Sequence, residues 1–327
     1  MRRLAREACL QPYDKAAQAL NEDWKTSWDG KHIQRWTQRL GQRLAAERDE
    51  ELTDFECGHR PASPANPPEL LVISVDAGKV QTCDVDPQTG SRWRDNKIAT
   101  VSTYVRGDGK QEPQALVTTH VATMERTGNF GKLVRLEAEK RGLSLAKEAI
   151  ALGDGGNWID PLLEREVPVR QRIVDYYHAA EHLHACARAV HGEQTRARRM
   201  GERLCTQLWE GNLEKLLTWL KKQGERLGTP RKSDAHDHPR RVLANNVAYF
   251  QTHRQHMNYP EYRRHGWPIG SGTVEAAVKQ INKRVKGSEQ FWDPTGVEAV
   301  LLLRALWLSQ DGRWHHHWTA RPAFRAA

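Results

Sequence analysis

Between Tyr13 and Phe55 the apolar residues recur at helical spacing in two stripes, Ala16, Ala17 and Leu20, then Ile33, Trp36, Leu40 and Leu44. Asp29-Gly30 separates them as a turn, with Asp29 as a candidate cap. Two helices so joined, the second displaying Lys31, His32, Gln34, Arg35 and Arg39, predict a helix-turn-helix or a plain helical hairpin with a solvated basic face. In the first case Lys31, Gln34, Arg35 and Arg39 are the side chains placed to read DNA. Residues 57–69 hold four prolines and no periodicity, which predicts a linker and leaves 1–56 as an N-terminal helical segment.

After the linker the pattern changes to short β-branched runs. "LLVISVDAG" predicts a buried strand ending at Asp76; "KIATVSTYV" and "QALVTTHVA" predict two more. Helical spacing returns in "FGKLVRLEAEKRGL", a fourth strand is expected to stop at Asp154 in "EAIALGDGGNWI", and "RIVDYY" predicts a fifth. Residues 70–177 therefore read as the first part of an α/β unit. Residues 178–262 are helical in pattern, broken only by the polar, basic "GTPRKSDAHDHPRR". Residues 263–327 resume with "GSGTVEAAVKQINKRVKG", a well-marked helix, then "EAVLLLRALWLSQ", another, and a tail.

Charge narrows the choice of partners. The 327 residues carry 50 Lys and Arg against 41 Asp and Glu, a formal +9, so polyanions come first. Five cysteines, Cys9, Cys57, Cys83, Cys186 and Cys205, form no C-x-x-C pair, which speaks against a disulfide framework or a zinc ribbon. No apolar run is long enough for a signal peptide or a membrane span, and the expectation is a cytoplasmic protein.

Asp76 and Asp154 share a placement, each closing an apolar run and followed by Gly within two residues. If their strands are neighbours, both carboxylates leave one edge of the sheet, where α/β folds hold ligands. Clustered carboxylates need a cation, and an all-oxygen set favours Mg²⁺ or Mn²⁺. Either aspartate alone is better explained as a turn former, and two at equivalent strand ends shift that balance. Glu275 lies near the start of a helix whose buried stripe is Val274, Val278, Ile281 and Val285. As a helix-start acid with Lys279 one turn on it needs no chemistry, since the dipole contribution of about 0.3–1 kcal/mol suffices. That leaves unexplained why its face continues with Lys279, Lys283 and Lys286, a row whose repulsion is relieved by a polyanion lying along it.

Other signals are weaker. "YHAAEHL" has the order H-x-x-E-H at His178, Glu181 and His182, but a third zinc ligand is not evident, so packing or a place near the carboxylates is the better reading of His178. Trp158, Trp267 and Trp292 flank the motifs and read as buried before they read as base-stacking platforms. Arg231, Lys232, Arg240 and Arg241 fit a DNA-tracking loop and a solvated one equally.

Taken together, "SVDAG", "LGDGGNWI" and "PIGSGTVEAA", with "IVDYYHAAEHL" after the second, resemble the DDE transposases of bacterial insertion sequences, in particular the Kra-type group. The resemblance covers about Tyr13 to Ser309. It implies an RNase H-like mixed sheet flanked by helices, interrupted by an all-α insertion, with Asp76 on the first core strand, Asp154 on the fourth and Glu275 on a helix against the sheet. It further implies two Mg²⁺ ions on Asp76, Asp154 and Glu275, double-stranded DNA partners (terminal inverted repeats and target) and a homodimer or larger assembly on DNA. Members of the group are expected to extend further at the N-terminus, so recognition of the repeats is expected to be incomplete. Two alternatives stand beside strand transfer: a catalytically silent DNA-binding derivative and an RNase H-like nuclease that cuts without joining.

Overall fold

A computed structural model describes residues 1–62, 64–87, 89–109, 111–192, 194–287 and 290–319; the end of the expected C-terminal tail lies outside the described residues. Three helices come first: α1 (Arg2–Leu10), α2 (Tyr13–Trp24) and α3 (Gly30–Glu56). Then follow β1 (Leu70–Gln81), β2 (Trp93–Val105), β3 (Gln114–Thr123), α4 (Thr127–Lys140), β4 (Glu148–Gly153), α5 (Ile159–Glu166) and β5 (Gln171–Val174). A helical block continues the chain as α6 (Tyr176–His191), α7 (Gln194–Trp209), α8 (Leu213–Leu227), α9 (Pro239–Thr252) and α10 (Tyr259–Arg264). Last come α11 (Gly272–Val285), α12 (Pro294–Leu308) and α13 (Arg313–Thr319).

The sheet order is β3-β2-β1-β4-β5. β1, β2 and β3 form an antiparallel meander, while β4 runs parallel to β1 and β5 parallel to β4. This is the RNase H-like mixed sheet flanked by helices that the sequence led us to expect. Side chains alternate along β1: Leu71, Ile73 and Val75 enter a core with Phe130 and Val134 of α4 and Leu162 of α5. Leu70 and Val72 face the other way, into a core with Leu183 of α6, Leu208 of α7, Leu220 of α8 and Phe250 of α9. Full burial of each such leucine contributes roughly 1.5–3 kcal/mol, so this shared core holds the helical block on the sheet.

α2 and α3 follow the two expected stripes, while α1 was not expected. Asp29 caps α3, its side chain accepting the His32 amide at 2.8 Å. Ala16, Ala17 and Leu20 meet Ile33 in a small core, and Leu40 meets Leu303 of α12 and Trp314 of α13. Gly41 lies directly on α12, where a Cβ would come within 2.1 Å of the Ala299 methyl. α3 is thus a long helix seated lengthwise on α12.

Two strands stop elsewhere than expected, and β2 begins at Trp93 rather than Lys97. β1 does not stop at Asp76 but continues to Gln81, paired with β2 as far as Gln81↔Trp93. Its parallel pairing with β4 ends earlier, at Ser74↔Leu152. The apolar run fades at Asp76 because β1 there loses one of its two neighbours, not because the strand ends. β5 stops at Val174 rather than Tyr177, because the Asp175 side chain accepts the amides of Tyr177 and His178 and starts α6. None of the helices among the described residues is long and apolar enough to cross a membrane.

Candidate active site

Asp76 lies on the same side of β1 as Leu70, Val72 and Ser74, the side that α11 covers further along the strand. α11 buries Val274, Ala277, Ile281 and Val285 against Val80 and Ile98, and Gly78 comes so close to it that a Cβ would stand 2.5 Å from Asn282 Nδ2. Asp154 follows the last residue of β4, and Glu275 lies in the first turn of α11. The point where β1 outruns β4 is therefore where a strand, a loop and a helix start come together.

Each carboxylate has a local partner. Asp76 Oδ1 accepts its neighbour's amide, Ala77 N, at 2.6 Å, and Asp154 Oδ1 accepts Gly156 N at 2.7 Å. Glu275 Oε1 is 3.1 Å from Ser271 Oγ, and its Oε2 is 3.6 Å from Lys279 Nζ. The second oxygens of Asp76 and Asp154 accept no hydrogen bond among the described residues. Burial pushes the Asp76 carboxyl up to about 6; the Ala77 amide opposes this, the charges of Asp154 and Glu275 add to it, and His178 opposes it. Asp76, Asp154, Glu275 and His178 thus share one electrostatic neighbourhood.

The donor chemistry suits a hard divalent cation, being carboxylate oxygen throughout. As arranged, however, no group of three or more His, Cys, Asp or Glu among the described residues could hold a metal ion. The acids are gathered but do not form a closed coordination set.

Around them stands a layer that sequence reasoning missed. Tyr249 of α9 donates its hydroxyl to the Asp154 carbonyl at 2.8 Å and stacks on His182, with ring centroids 4.2 Å apart. His182 in turn meets His178, Nε2 to Nε2, at 3.2 Å, and Asn246 Oδ1 at 2.6 Å. His178 and His182 pack on each other and His178 on Tyr249 of α9, while Glu181 is exposed with its Oε2 3.9 Å from His178 Nδ1. Asp175 is the other omission. It is 1% exposed, its amide donates to Gly153 O at 2.8 Å, and its Oδ2 accepts both the amide (2.5 Å) and the hydroxyl of Ser271. The sequence reading placed it inside the fifth strand, and its partner, 96 positions away, left no local signal.

Lys279, Lys283 and Lys286 are all exposed along α11 and just past its end. Lys31, Arg35 and Arg39 are exposed on α3, with Gln34 partly so. Trp267 and Trp292 are buried and their indole N–H groups are occupied by Glu148 and Val285 O, so neither is a base-stacking platform. In the loop of the helical block, Arg240 forks onto Asp234 and Arg241 donates to the carbonyls of Arg231 and Lys232. Those two arginines fold the loop itself.

No protein-family model matches the chain, and no curated protein matches it by sequence. Among solved structures it is similar to the Drosophila P element transposase strand transfer complex, at 11% identity over 95% of this chain and 92% of that one, with a TM-score of 0.40. The fold and the site together define an RNase H-like α/β protein with an acidic cluster where the first strand outruns the fourth.

Proposed function

We propose that this chain is a DDE-type transposase of a bacterial insertion sequence, acting on double-stranded DNA in the nucleoid as a homodimer or larger assembly. The observation that carries the reading is the Asp76 carboxyl at the point where β1 outruns β4, raised to about 6 first by burial and then by the charges of Asp154 and Glu275. Carboxylates set so that they oppose one another's ionisation are a site for cationic charge. Asp76, Asp154 and Glu275 would hold two Mg²⁺ or Mn²⁺ ions, which when bound supply Lewis-acid stabilisation of the attacking and leaving oxygens in phosphoryl transfer. The protein's own part is to orient the ends of the DNA. Lys279, Lys283 and Lys286 position phosphates along α11, Lys31, Gln34, Arg35 and Arg39 read the terminal repeat, and His178 lies beside the carboxylates. The reaction so served is cleavage at the element end, then attack of the freed 3′-OH on target DNA.

Labelled element ends, Mg²⁺ and a plasmid target test this in one assay. The parent is expected to nick the end and join it to plasmid, and Asp154→Asn to do neither while still retarding the DNA. Nicks without joined product would mean a nuclease; retardation without nicks would mean a DNA-binding protein. An Asp154→Asn variant that cuts as fast as the parent removes the assignment of the site.

A further inference from the structure

α1 turns Leu4, Ala5, Ala8 and Cys9 inward and leaves Arg2, Arg3 and Arg6 exposed. The three arginines line an open pocket of about 520 Å³ together with Trp307 of α12 and Trp314 of α13. Arg3 is paired with an acid, Asp23 of α2. Arg2 meets a histidine instead, its Nη1 3.5 Å from His315 Nδ1, and Arg6 lays its guanidinium over the Trp307 ring, 5.5 Å from the centroid. Neither Arg2 nor Arg6 has a carboxylate partner among the described residues. They stand one helical turn apart, where like charges repel, and that repulsion is relieved by an anion from outside the chain.

The pocket is held firmly. Leu4 and Ala8 are buried with Leu20 and Ile33, and Arg284 of α11, 3% exposed, donates from Nε to Ala8 O at 3.0 Å. α1 is therefore docked against the helix that carries Glu275. Trp314 meets Trp307 edge to face, with ring centroids 5.0 Å apart, which fixes the indole under Arg6. A guanidinium laid on an indole keeps its edge of N–H donors free for phosphate oxygens. We propose that this pocket is a further DNA-contact surface, in which Arg2 and Arg6 hold backbone phosphates of duplex DNA. The inference rests on the DNA-binding part of the reading above, and it requires neither catalysis nor a bound cation.

The test is binding of the full chain to labelled duplexes, followed by fluorescence anisotropy between about 50 and 200 mM salt, with a melting curve for every variant. Each phosphate contact adds about 0.9 to the slope of log affinity against log salt. Arg2→Gln and Arg6→Gln are each expected to lower that slope by about one, equally on an element-end duplex and on an unrelated one. Arg6→Lys keeps the charge and is expected to keep the slope. Arg3→Gln, whose charge Asp23 already meets, is expected to change it little. A merely structural role for Arg6 against Trp307 predicts a lower melting temperature for Arg6→Gln with the slope of the parent, and that result overturns the proposal. So does an Arg3→Gln protein that loses as much slope as Arg2→Gln, because overall charge would then account for both. If Arg2→Gln and Arg6→Gln keep the parent's slope while Lys283→Gln loses it, DNA binding stands and this surface falls. A parent chain that binds neither duplex removes the DNA reading and this inference with it.

Discussion

The Tyr249 hydroxyl donates to the backbone oxygen of Asp154 across 2.8 Å, so the helical block grips the loop that carries one of the clustered acids. Gly155, at φ +80°, brings its backbone under the rings of Tyr249 and His253, where a Cβ would stand 3.0 Å from Tyr249 Cε2. Tyr249→Phe keeps the ring and removes only the hydrogen bond. It is expected to lower stability by about 1 kcal/mol and to slow nicking several-fold with DNA retardation unchanged. Single-turnover cleavage beside a melting curve checks both; an unchanged cleavage rate would confine Tyr249 to packing.

Asp76 has a carboxyl raised from 3.8 to about 6, chiefly by burial. A carboxyl raised by folding favours the folded state below its unfolded pKa, and that advantage is lost as pH climbs through about 6. With chelator present, Asp76→Asn should therefore be more stable than the parent at pH 8, on the order of 1–2 kcal/mol after allowing for partial exposure. At pH 4 the two should melt together. A pH-independent difference would point to packing instead.

His120 on β3 is 9% exposed and its imidazole is lowered to about 4, first by burial and then by the Arg313 charge. A histidine lowered by folding favours the native state above its unfolded pKa of about 6.5, and that advantage is lost as pH falls through the folded value. The parent should lose on the order of 2 kcal/mol between pH 6.5 and 4 from this group alone. His120→Gln should flatten that part of the stability profile, as read by denaturant unfolding at half-unit pH steps.

Gly41 of α3 lies against Ala299 of α12. Gly41→Val places side-chain atoms where the Ala299 methyl stands, and an overpacked helix seam costs about 1–3 kcal/mol or more. Melting should shift down, and protection of α3 amides from hydrogen exchange should fall more than that of β1. Equal losses in both would mean that α3 and the sheet unfold as one unit.

The elements were largely legible. The helical stripes at Ile33 and Leu40, the strands that became β2 to β4 and the buried face of α11 all follow from side-chain periodicity, which is a local property of the chain. The strand ends were not. β1 loses its β4 neighbour at Asp76, and β5 stops where Asp175 finds amides to accept; both depend on what lies alongside rather than on the run of residues itself. Of the site, the sequence marked Asp76, Asp154 and Glu275 as acids at a fading strand, a strand end and a helix start. It marked nothing in Tyr249, and it read Asp175 as part of the fifth strand.

By itself, then, the sequence determined the succession of helices and strands, the mixed α/β class and the acid types placed at element boundaries, because burial periodicity and capping act over a few residues. Only the tertiary structure decided that Asp76 feels the charges of Asp154 and Glu275, 78 and 199 positions away. It alone brought Ser271 to Asp175 and Tyr249 to Asp154. Those contacts depend on sheet order and on which helix covers which face, and packing of distant segments, unlike periodicity, leaves no mark in the neighbouring residues.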